Sequence, residues 1–264
     1  SESLLLSSRG VSYSQQSNEV AAWCGPLLQD GDSRKSGMQI YHRREWDPQA
    51  GKRIGAEAVE KAVELLKASP ISGGKLPVVL DEYMAPRFLG MFFGAFSAES
   101  AQRGMSRLQG RLGETIANPE LTLLDDPHRQ GANRSCFLDA EGFLTKPLPL
   151  IEEGVFRNFL YHVESANKEN KSSTGHAVRG YSGGIGTRSH NLVWPTGEFS
   201  LEQLCAQNSK CLLVTQLEGQ AGCNPVSGDI SIGVQGFLIE NGLRIQPVDS
   251  ITLAGNFFDV LLNI

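Results

Sequence analysis

Residues 237–245 read Phe237-Leu238-Ile239-Glu240-Asn241-Gly242-Leu243-Arg244-Ile245, and this stretch gives the clearest indication of the fold. Two apolar runs flank the dipeptide Asn241-Gly242. A type I′ turn prefers this dipeptide because both of its central residues adopt positive φ angles. The stretch therefore predicts a hairpin of two antiparallel strands.

The neighbouring segments extend this pattern. An apolar run at 211–217 predicts another strand, and Ile251-Thr252-Leu253 predicts a further one. Asn256 precedes an apolar segment and is expected to cap a last helix. Ser200, with Gln203 three residues later, predicts a capping box at the start of a short helix.

The first part of the chain predicts strands followed by helices. Alternating polar and apolar residues in 1–46 are typical of antiparallel strands with exposed faces. Asp47-Pro48 predicts the start of a helix that runs to Lys67. A Ser/Gly-rich linker at 69–74 then precedes a strand at 76–81 and a helix at about 86–98. The expected fold class is α+β, a predominantly antiparallel β-sheet with a few packed helices.

Composition excludes several broad classes. The chain has 264 residues, a net charge of −5 and 40% hydrophobic residues. Its Lys and Arg residues are scattered, so we expect no nucleic-acid partner. No apolar run is long enough for a membrane span. Five widely spaced cysteines without a CxxC pair are typical of reduced thiols, so we expect a cytoplasmic protein that binds no membrane.

The histidines show no metal motif. Zinc peptidases commonly place two His on one helix face with a Glu beside them. Here His162, His176 and His190 follow one another at intervals of 14 residues, which fits neither helix nor strand geometry. A three-His site is a weaker alternative, and the sequence predicts neither a metal ion nor another cofactor.

Other reactive side chains also have ordinary interpretations. Cys136 lies near His128 in sequence, but catalysis needs a depressed thiol pKa and a positioned base, which the sequence cannot supply. Two acidic segments are interpreted as turns: Asp125-Asp126-Pro127 and Asp139-Ala140-Glu141-Gly142. An Asp side chain ahead of Pro or Gly commonly starts a turn by hydrogen bonding to the nearby backbone.

Residues 219–236 contain five glycines between a predicted strand and the hairpin. Glycine weakens a strand by roughly 0.5–1 kcal/mol relative to alanine. One explanation is a set of tight turns and bulges. The other is close approach of a second backbone. In that case the residues that contact a peptide or a partner subunit are Gly228, Asp229, Ser231 and Gly233.

The order of several segments is also informative. Asn224-Pro225-Val226-Ser227-Gly228-Asp229 precedes the hairpin, and Ile251-Thr252-Leu253-Ala254-Gly255-Asn256 follows it. Upstream, Asp125-Asp126-Pro127 and Ser173-Thr174-Gly175-His176-Ala177 occur in matching order. Taken together over nearly the whole chain, these segments resemble the PmbA/TldD family. The resemblance divides the chain into a partial middle region of strands plus a helix at 1–70 and a C-terminal PmbA/TldD-like domain at 74–264.

The resemblance implies a cytosolic peptidase complex of two subunit types. The TldD-like type carries HExxxH on the helix after a Pro-Val-Val-Leu-type strand, and the PmbA-like type, also called TldE, has lost it. The complex is associated with maturation of microcin peptides and degradation of antitoxins, and the family also carries the label modulator of DNA gyrase. Family members usually extend beyond both ends of this chain, so it is expected to be a short member or part of one.

The matching helix here contains no His. It reads Arg87-Phe88-Leu89-Gly90-Met91-Phe92-Phe93-Gly94-Ala95. The resemblance therefore implies a degenerate motif helix with no catalytic residue and no metal ligand, at positions Leu89, Gly90, Met91, Gly94 and Ala95. The apolar residues Phe88, Met91, Phe92 and Ala95 recur at helical spacing and predict a buried stripe.

The main hypothesis is a non-catalytic, metal-free subunit of a TldD/TldE-type metallopeptidase complex, inactive alone, that acts in the proteolysis or maturation of peptides. Its expected partners are an HExxxH-bearing subunit in a heterodimer and a peptide substrate, with a homodimer as another arrangement. The alternatives are a stand-alone peptidase or hydrolase with an unrecognised site and a regulator related to DNA gyrase.

Overall fold

The computed structural model describes residues 2–8 and 10–264 of the chain. Six short strands come first: β1 (Glu2–Leu6), β2 (Ser12–Gln16), β3 (Val20–Cys24), β4 (Leu27–Asp30), β5 (Ser33–Ser36) and β6 (Gln39–Arg43). They pair antiparallel, β1 with β2, β3 with β6 and β4 with β5. The antiparallel strands predicted from the alternating pattern are thus confirmed.

Helix α1 (Ala50–Leu65) packs one apolar stripe against these strands. Its Ala50 and Ile54 form a small core with Tyr41 of β6. The predicted helix start at Asp47-Pro48 was early by two residues, since Gln49 is the N-cap and Ala50 the first helical residue. The carboxylate of Asp47 accepts a hydrogen bond from the Gln49 N–H at 2.9 Å, in the turn that precedes the helix.

The middle of the chain contains β7 (Val78–Leu80), α2 (Met84–Met91), a 3-10 turn (Phe93–Phe96), α3 (Ala98–Gln102), β8 (Leu123–Asp125), β9 (Leu148–Glu152), β10 (Val155–Phe156) and α4 (Val163–Lys168). The single helix predicted at 86–98 is wrong, because the chain is extended at Ser97. Ser97 caps α3 by accepting a hydrogen bond from the Ser100 N–H, and the Ala98 N–H donates to the Leu160 carbonyl. These bonds start a separate helix.

The last third contains β11 (Ala177–Arg179), β12 (Ile185–Thr187), β13 (Leu192–Val193), α5 (Leu201–Ala206), β14 (Lys210–Glu218), β15 (Asp229–Glu240), β16 (Leu243–Asn256) and α6 (Phe257–Leu262). The predicted hairpin is confirmed, with Asn241 at φ +50° and Gly242 at φ +78°. Ser200 and Gln203 form the predicted capping box, and Asn256 caps α6. Strands β11 and β12 pair antiparallel as a further hairpin.

Two four-stranded sheets organise the molecule. One has the order β16-β15-β14-β7, with only the β14–β7 pair parallel among its named strands, and the other has the order β10-β9-β8-β13. The main core lies against the first sheet and includes α2 and α6. The expected α+β class is confirmed. The strands and helix of 1–70 touch the rest through ion pairs such as Lys35–Asp249 and Glu64–Arg244.

Candidate functional site

Helix α2 and the turn after it contribute several aromatic side chains to the main core. Phe92 is fully buried, and its ring stacks on Phe257 of α6 with centroids 4.5 Å apart and planes 9° apart. Phe88 meets the Phe92 ring edge-on at 5.5 Å. The stripe predicted at Phe88, Met91, Phe92 and Ala95 is confirmed, since all four are buried. The helix is therefore a packing element of the core.

The positions of the degenerate motif helix offer no ligand atoms. Leu89, Met91 and Ala95 are buried in the core, while Gly90 and Gly94 face outward. From Met84 to Phe96 no side chain is a His, Cys, Asp or Glu. A metal ion held by carboxylate, imidazole or thiolate groups has nothing to bind on this segment.

The candidate contact residues of the glycine-rich segment lie around the start of β15, which is an interior strand. Gly233 pairs with Glu218 of β14 on one side and with Thr252 of β16 on the other. Its backbone therefore has no side left for pairing with another strand. Gly228 has φ +83°, and an added Cβ would lie 2.6 Å from the Phe258 ring. These glycines accommodate close approaches within this chain, as the turn-and-bulge explanation expects. Contact with a peptide or partner stays a prediction.

Asp229 is held in a local hydrogen-bond network. Its carboxylate accepts a hydrogen bond from the Ser227 hydroxyl at 2.6 Å and another from the Asn256 amide at 3.1 Å. The bond from Ser227 and then that from Asn256 hold the pKa of Asp229 below its usual range. Asn256 also caps α6, so this network anchors the helix that carries Phe257. Ser231 is exposed on the same strand, and its side chain is accessible to a partner.

A groove of about 790 Å³ borders the outer strand of the same sheet. Its lining comes from the Ser/Gly-rich segment 71–76, from 251–256 of β16 and from α6, with Val78 of β7 and Leu212 of β14 at the far side of the sheet. Among the named strands, β16 pairs only with β15, which leaves its other edge without a strand partner. An unpaired edge can accept an extended peptide.

A buried polar cluster lies elsewhere, at the β8–β13 side of the second sheet. Asp125 at the end of β8 meets His176 and His190, and one ligand atom of each lies within 4.8 Å of the others. Asp125 Oδ2 accepts a hydrogen bond from the backbone N–H of His190 at 2.9 Å. The same oxygen lies 2.8 Å from His176 Nε2. Its other oxygen, Oδ1, is buried without a hydrogen-bond partner.

Cys136 lies beside His190, outside the group of three. The His190 Nε2 lies 2.9 Å from the Gly175 carbonyl, which can only accept, so this nitrogen carries the proton. Its Nδ1 is then the acceptor that faces Cys136 Sγ at 3.3 Å. Burial raises the pKa of the Cys136 thiol and lowers the pKa of His190. Both shifts favour a neutral thiol and a neutral imidazole, which disfavours thiolate catalysis.

Spacing in the sequence gave no indication of this cluster. The three-His alternative contained two of its members, but His162 lies apart, with its Nε2 3.6 Å from Glu99. The interpretation of Asp125 as a turn residue was wrong, because Asp125 is fully buried in β8. Its neighbour Asp126 does form the predicted turn, as does Asp139. His128, the neighbour of Cys136 in sequence, contacts Thr145 instead.

Comparison with known proteins identifies the family. The family model described as PmbA/TldA metallopeptidase C-terminal domain matches residues 73–264. The chain belongs to the PmbA/TldD family. Metalloprotease PmbA of Escherichia coli O157:H7 is 32% identical over 241 residues, which are 91% of this chain and 51% of that protein. The metalloprotease PmbA homolog of Haemophilus influenzae is 32% identical over 258 residues, 97% of this chain and 55% of the relative. The chain thus spans about half the length of these relatives.

Solved structures of the family have the same fold. A structure described as a putative modulator of a DNA gyrase from Thermotoga maritima aligns with a TM-score of 0.92 and 31% identity, over 100% of this chain and 60% of that one. TldE from Thermococcus kodakarensis aligns with a TM-score of 0.85 and 27% identity, over 99% and 60% of the two chains. This PmbA/TldD family member is therefore related by sequence to proteins named metalloproteases, and it shares its fold with the solved TldE structure.

In the part of the chain that the structure describes, no helix is both long and apolar enough to span a bilayer. The compartment of the protein stays a prediction.

Proposed function

We propose that this chain is part of the non-catalytic subunit of a two-subunit peptidase of the PmbA/TldD family. The observation that carries the proposal is the stacking of Phe92 on Phe257 of α6. Phe92 is the C-cap of α2, the helix on which TldD-like subunits are expected to carry HExxxH. Aromatic packing occupies the core side of this helix, and its remaining positions bear no ligand side chains. The subunit then contributes to peptide binding and assembly while a related chain supplies the metal.

The names of the relatives support the peptidase part of the proposal. Two relatives at 32% identity are named metalloproteases, and one structural neighbour is TldE, the name that the resemblance attaches to the subunit type without HExxxH. The partner is accordingly an HExxxH-bearing family member in a heterodimer. The substrate is a peptide in an extended conformation.

Two surfaces of the first sheet could receive the peptide or the partner. Strand addition would use the outer edge of β16, which pairs with no other named strand, and residues 251–256 of the same strand also line the groove. The exposed face around Asp229 and Ser231 supplies side chains only, because the backbone here pairs with β16 on one side and is hydrogen-bonded to Gly222 and Asn224 on the other. The two surfaces therefore predict different kinds of contact.

The experiment is reconstitution with a purified HExxxH-bearing relative. Size-exclusion chromatography of the mixture is expected to show a complex, and an unstructured peptide is expected to be cleaved much faster by the mixture than by either protein. If the mixture neither elutes as a complex nor cleaves faster than the relative alone, the proposal is wrong.

One pair of variants tests the face of β15. Ser231→Arg places a long cation on this face, whereas Ser14→Arg makes the same change at an exposed strand position in a separate sheet. Ser231→Arg is expected to reduce complex formation or cleavage at least tenfold, and Ser14→Arg to leave both unchanged. Equal behaviour of the two variants would remove this face from the proposed contact.

A further inference from the structure

We infer that Asp125, His176, His190 and Cys136 form a binding site for one zinc-like divalent transition-metal ion. The polar cluster is separate from α2, where the family resemblance would place a catalytic metal. The inference also runs against the sequence-based prediction that the chain binds no metal ion.

The donor groups suit such an ion. Two imidazoles, a carboxylate and a thiol are the ligand types that zinc prefers, and four of them match its usual coordination number. Bonds of about 2.0–2.3 Å in a tetrahedron separate neighbouring ligand atoms by about 3.3–3.8 Å. Cys136 Sγ and His190 Nδ1 are 3.3 Å apart, and His176 Nε2 and Asp125 Oδ2 are 2.8 Å apart. A movement of about half an ångström brings the latter two to this spacing. Cys136 Sγ lies outside the group of three ligand atoms that are within 4.8 Å of one another, so it has to move towards Asp125 and His176 to become the fourth ligand.

The outer atoms of both imidazoles are already fixed. His190 Nε2 lies 2.9 Å from the Gly175 carbonyl, which leaves Nδ1 for an ion. His176 Nδ1 lies 2.9 Å from the Thr174 hydroxyl, which leaves Nε2 for an ion. Metal-binding histidines usually have their second nitrogen held in this manner, which fixes the ring orientation.

An unpartnered group at the cluster points independently to a ligand. Asp125 is fully buried, and its Oδ1 makes no hydrogen bond within the described residues. A buried carboxylate oxygen without a partner loses its hydration without compensation, which destabilises the folded state. Coordination by Oδ1 would give this oxygen a partner, and Oδ2 is the alternative ligand atom of the same carboxylate.

Charge balance is favourable as well. A divalent cation with one carboxylate, one thiolate and two neutral imidazoles has no net charge, which lowers the penalty of burial. On binding, a bond forms between Sγ and the metal while the thiol proton leaves to the solvent. The nearby Arg188 side chain is exposed, so its positive charge is screened by water.

The position of the ligands indicates a structural role. Asp125 ends β8, Cys136 lies in the following loop, and His176 and His190 flank the β11–β12 hairpin. One ion would join these segments and fix the base of the hairpin, whose tip carries the fully exposed Tyr181. Four protein ligands leave no open position for water or substrate, as in structural zinc sites. The inference is therefore independent of the proposed non-catalytic function.

The test uses the full chain after dialysis against a chelator. Titration with Co²⁺ is expected to show one tightly bound ion per chain, with the visible d–d bands of tetrahedral cobalt and a thiolate-to-metal charge-transfer band. Zn²⁺ is expected to displace Co²⁺ and to raise the melting temperature. A parent protein that binds no Co²⁺ at micromolar concentrations, or that shows no charge-transfer band, would overturn the site as described.

Variants separate this site from unspecific binding. Cys136→Ser is expected to lose the charge-transfer band and His190→Gln to weaken binding at least a hundredfold, while His42→Gln, at an exposed histidine, changes neither. Circular dichroism confirms that each variant is folded. If His190 is needed for folding, the Cys136→Ser spectrum decides: an unchanged charge-transfer band places the ion elsewhere and contradicts the inference.

Discussion

Helix α2 and the Asp125 cluster are both buried, but they are opposite in chemistry. The family resemblance leads one to look for a metal on this helix, but Phe88 and the C-cap residue Phe92 are buried in the core. The cluster, which no local motif marks, brings Asp125, His176 and His190 together from distant segments. Loss of a motif on one element therefore says little about ligand groups that tertiary structure assembles on another.

Removal of the aromatic packing at α2 is expected to have the largest effect on stability. Phe92→Ala deletes a fully buried ring that stacks on Phe257 and is expected to destabilise the protein by about 3–5 kcal/mol. Urea denaturation measures the change through the transition midpoint at a constant m-value. Phe199→Ala, at a residue 56% exposed, serves as the control and is expected to shift stability by less than about 1 kcal/mol. Equal midpoints for both variants would show that α2 is not a packing element.

The next effect concerns the polar cluster. Asp125→Asn keeps the shape of the side chain but removes its charge and one acceptor, so we expect a loss of about 1–3 kcal/mol. Asp126→Asn is the matched control, since this neighbour is only partly buried and its carboxylate caps a turn. Urea denaturation without added metal should separate the two variants. A neutral or stabilising Asp125→Asn change would contradict the view that the charged carboxylate organises the cluster.

A smaller effect connects the helix with the glycine-rich segment. Asn256 caps α6 through a 3.1 Å hydrogen bond from the Phe258 N–H, and α6 carries the ring that stacks on Phe92. Asn256→Ala is expected to cost about 1 kcal/mol, the usual loss for an N-cap. Asn256→Ser retains a cap acceptor but loses the amide bonds to Ser227 and Asp229. If Ser is as damaging as Ala in thermal melts, the amide bonds matter more than the cap.

Local signals in the sequence predicted the elements that local interactions determine. The Asn241-Gly242 turn, the Ser200 capping box and the Asn256 cap depend on residues within four positions of one another, and all three are present. The helix at 86–98 was predicted wrongly because its break depends on the hydrogen bond from the Ala98 N–H to the Leu160 carbonyl, 62 residues away in sequence. Periodicity carries no information about such a bond.

The same limit explains what was missed at the sites. The buried stripe of α2 follows from helical spacing and was predicted correctly. Asp125 and His190 are 65 residues apart and meet only because β8 pairs with β13. Neither strand pairing nor burial of the Asp125 carboxylate could be inferred from the Asp125-Asp126-Pro127 segment, whose composition also fits a turn.

The central claim is that a related chain supplies all of the catalytic groups. Its most direct test is the reconstituted mixture in which the Glu of HExxxH in the relative is replaced by Gln, with the peptide-cleavage rate as the readout. We predict that the mixture still elutes as a complex but cleaves the peptide no faster than the inactivated relative alone. Cleavage above that background, dependent on the addition of this chain, would show that this chain carries a catalytic site of its own and would contradict the account.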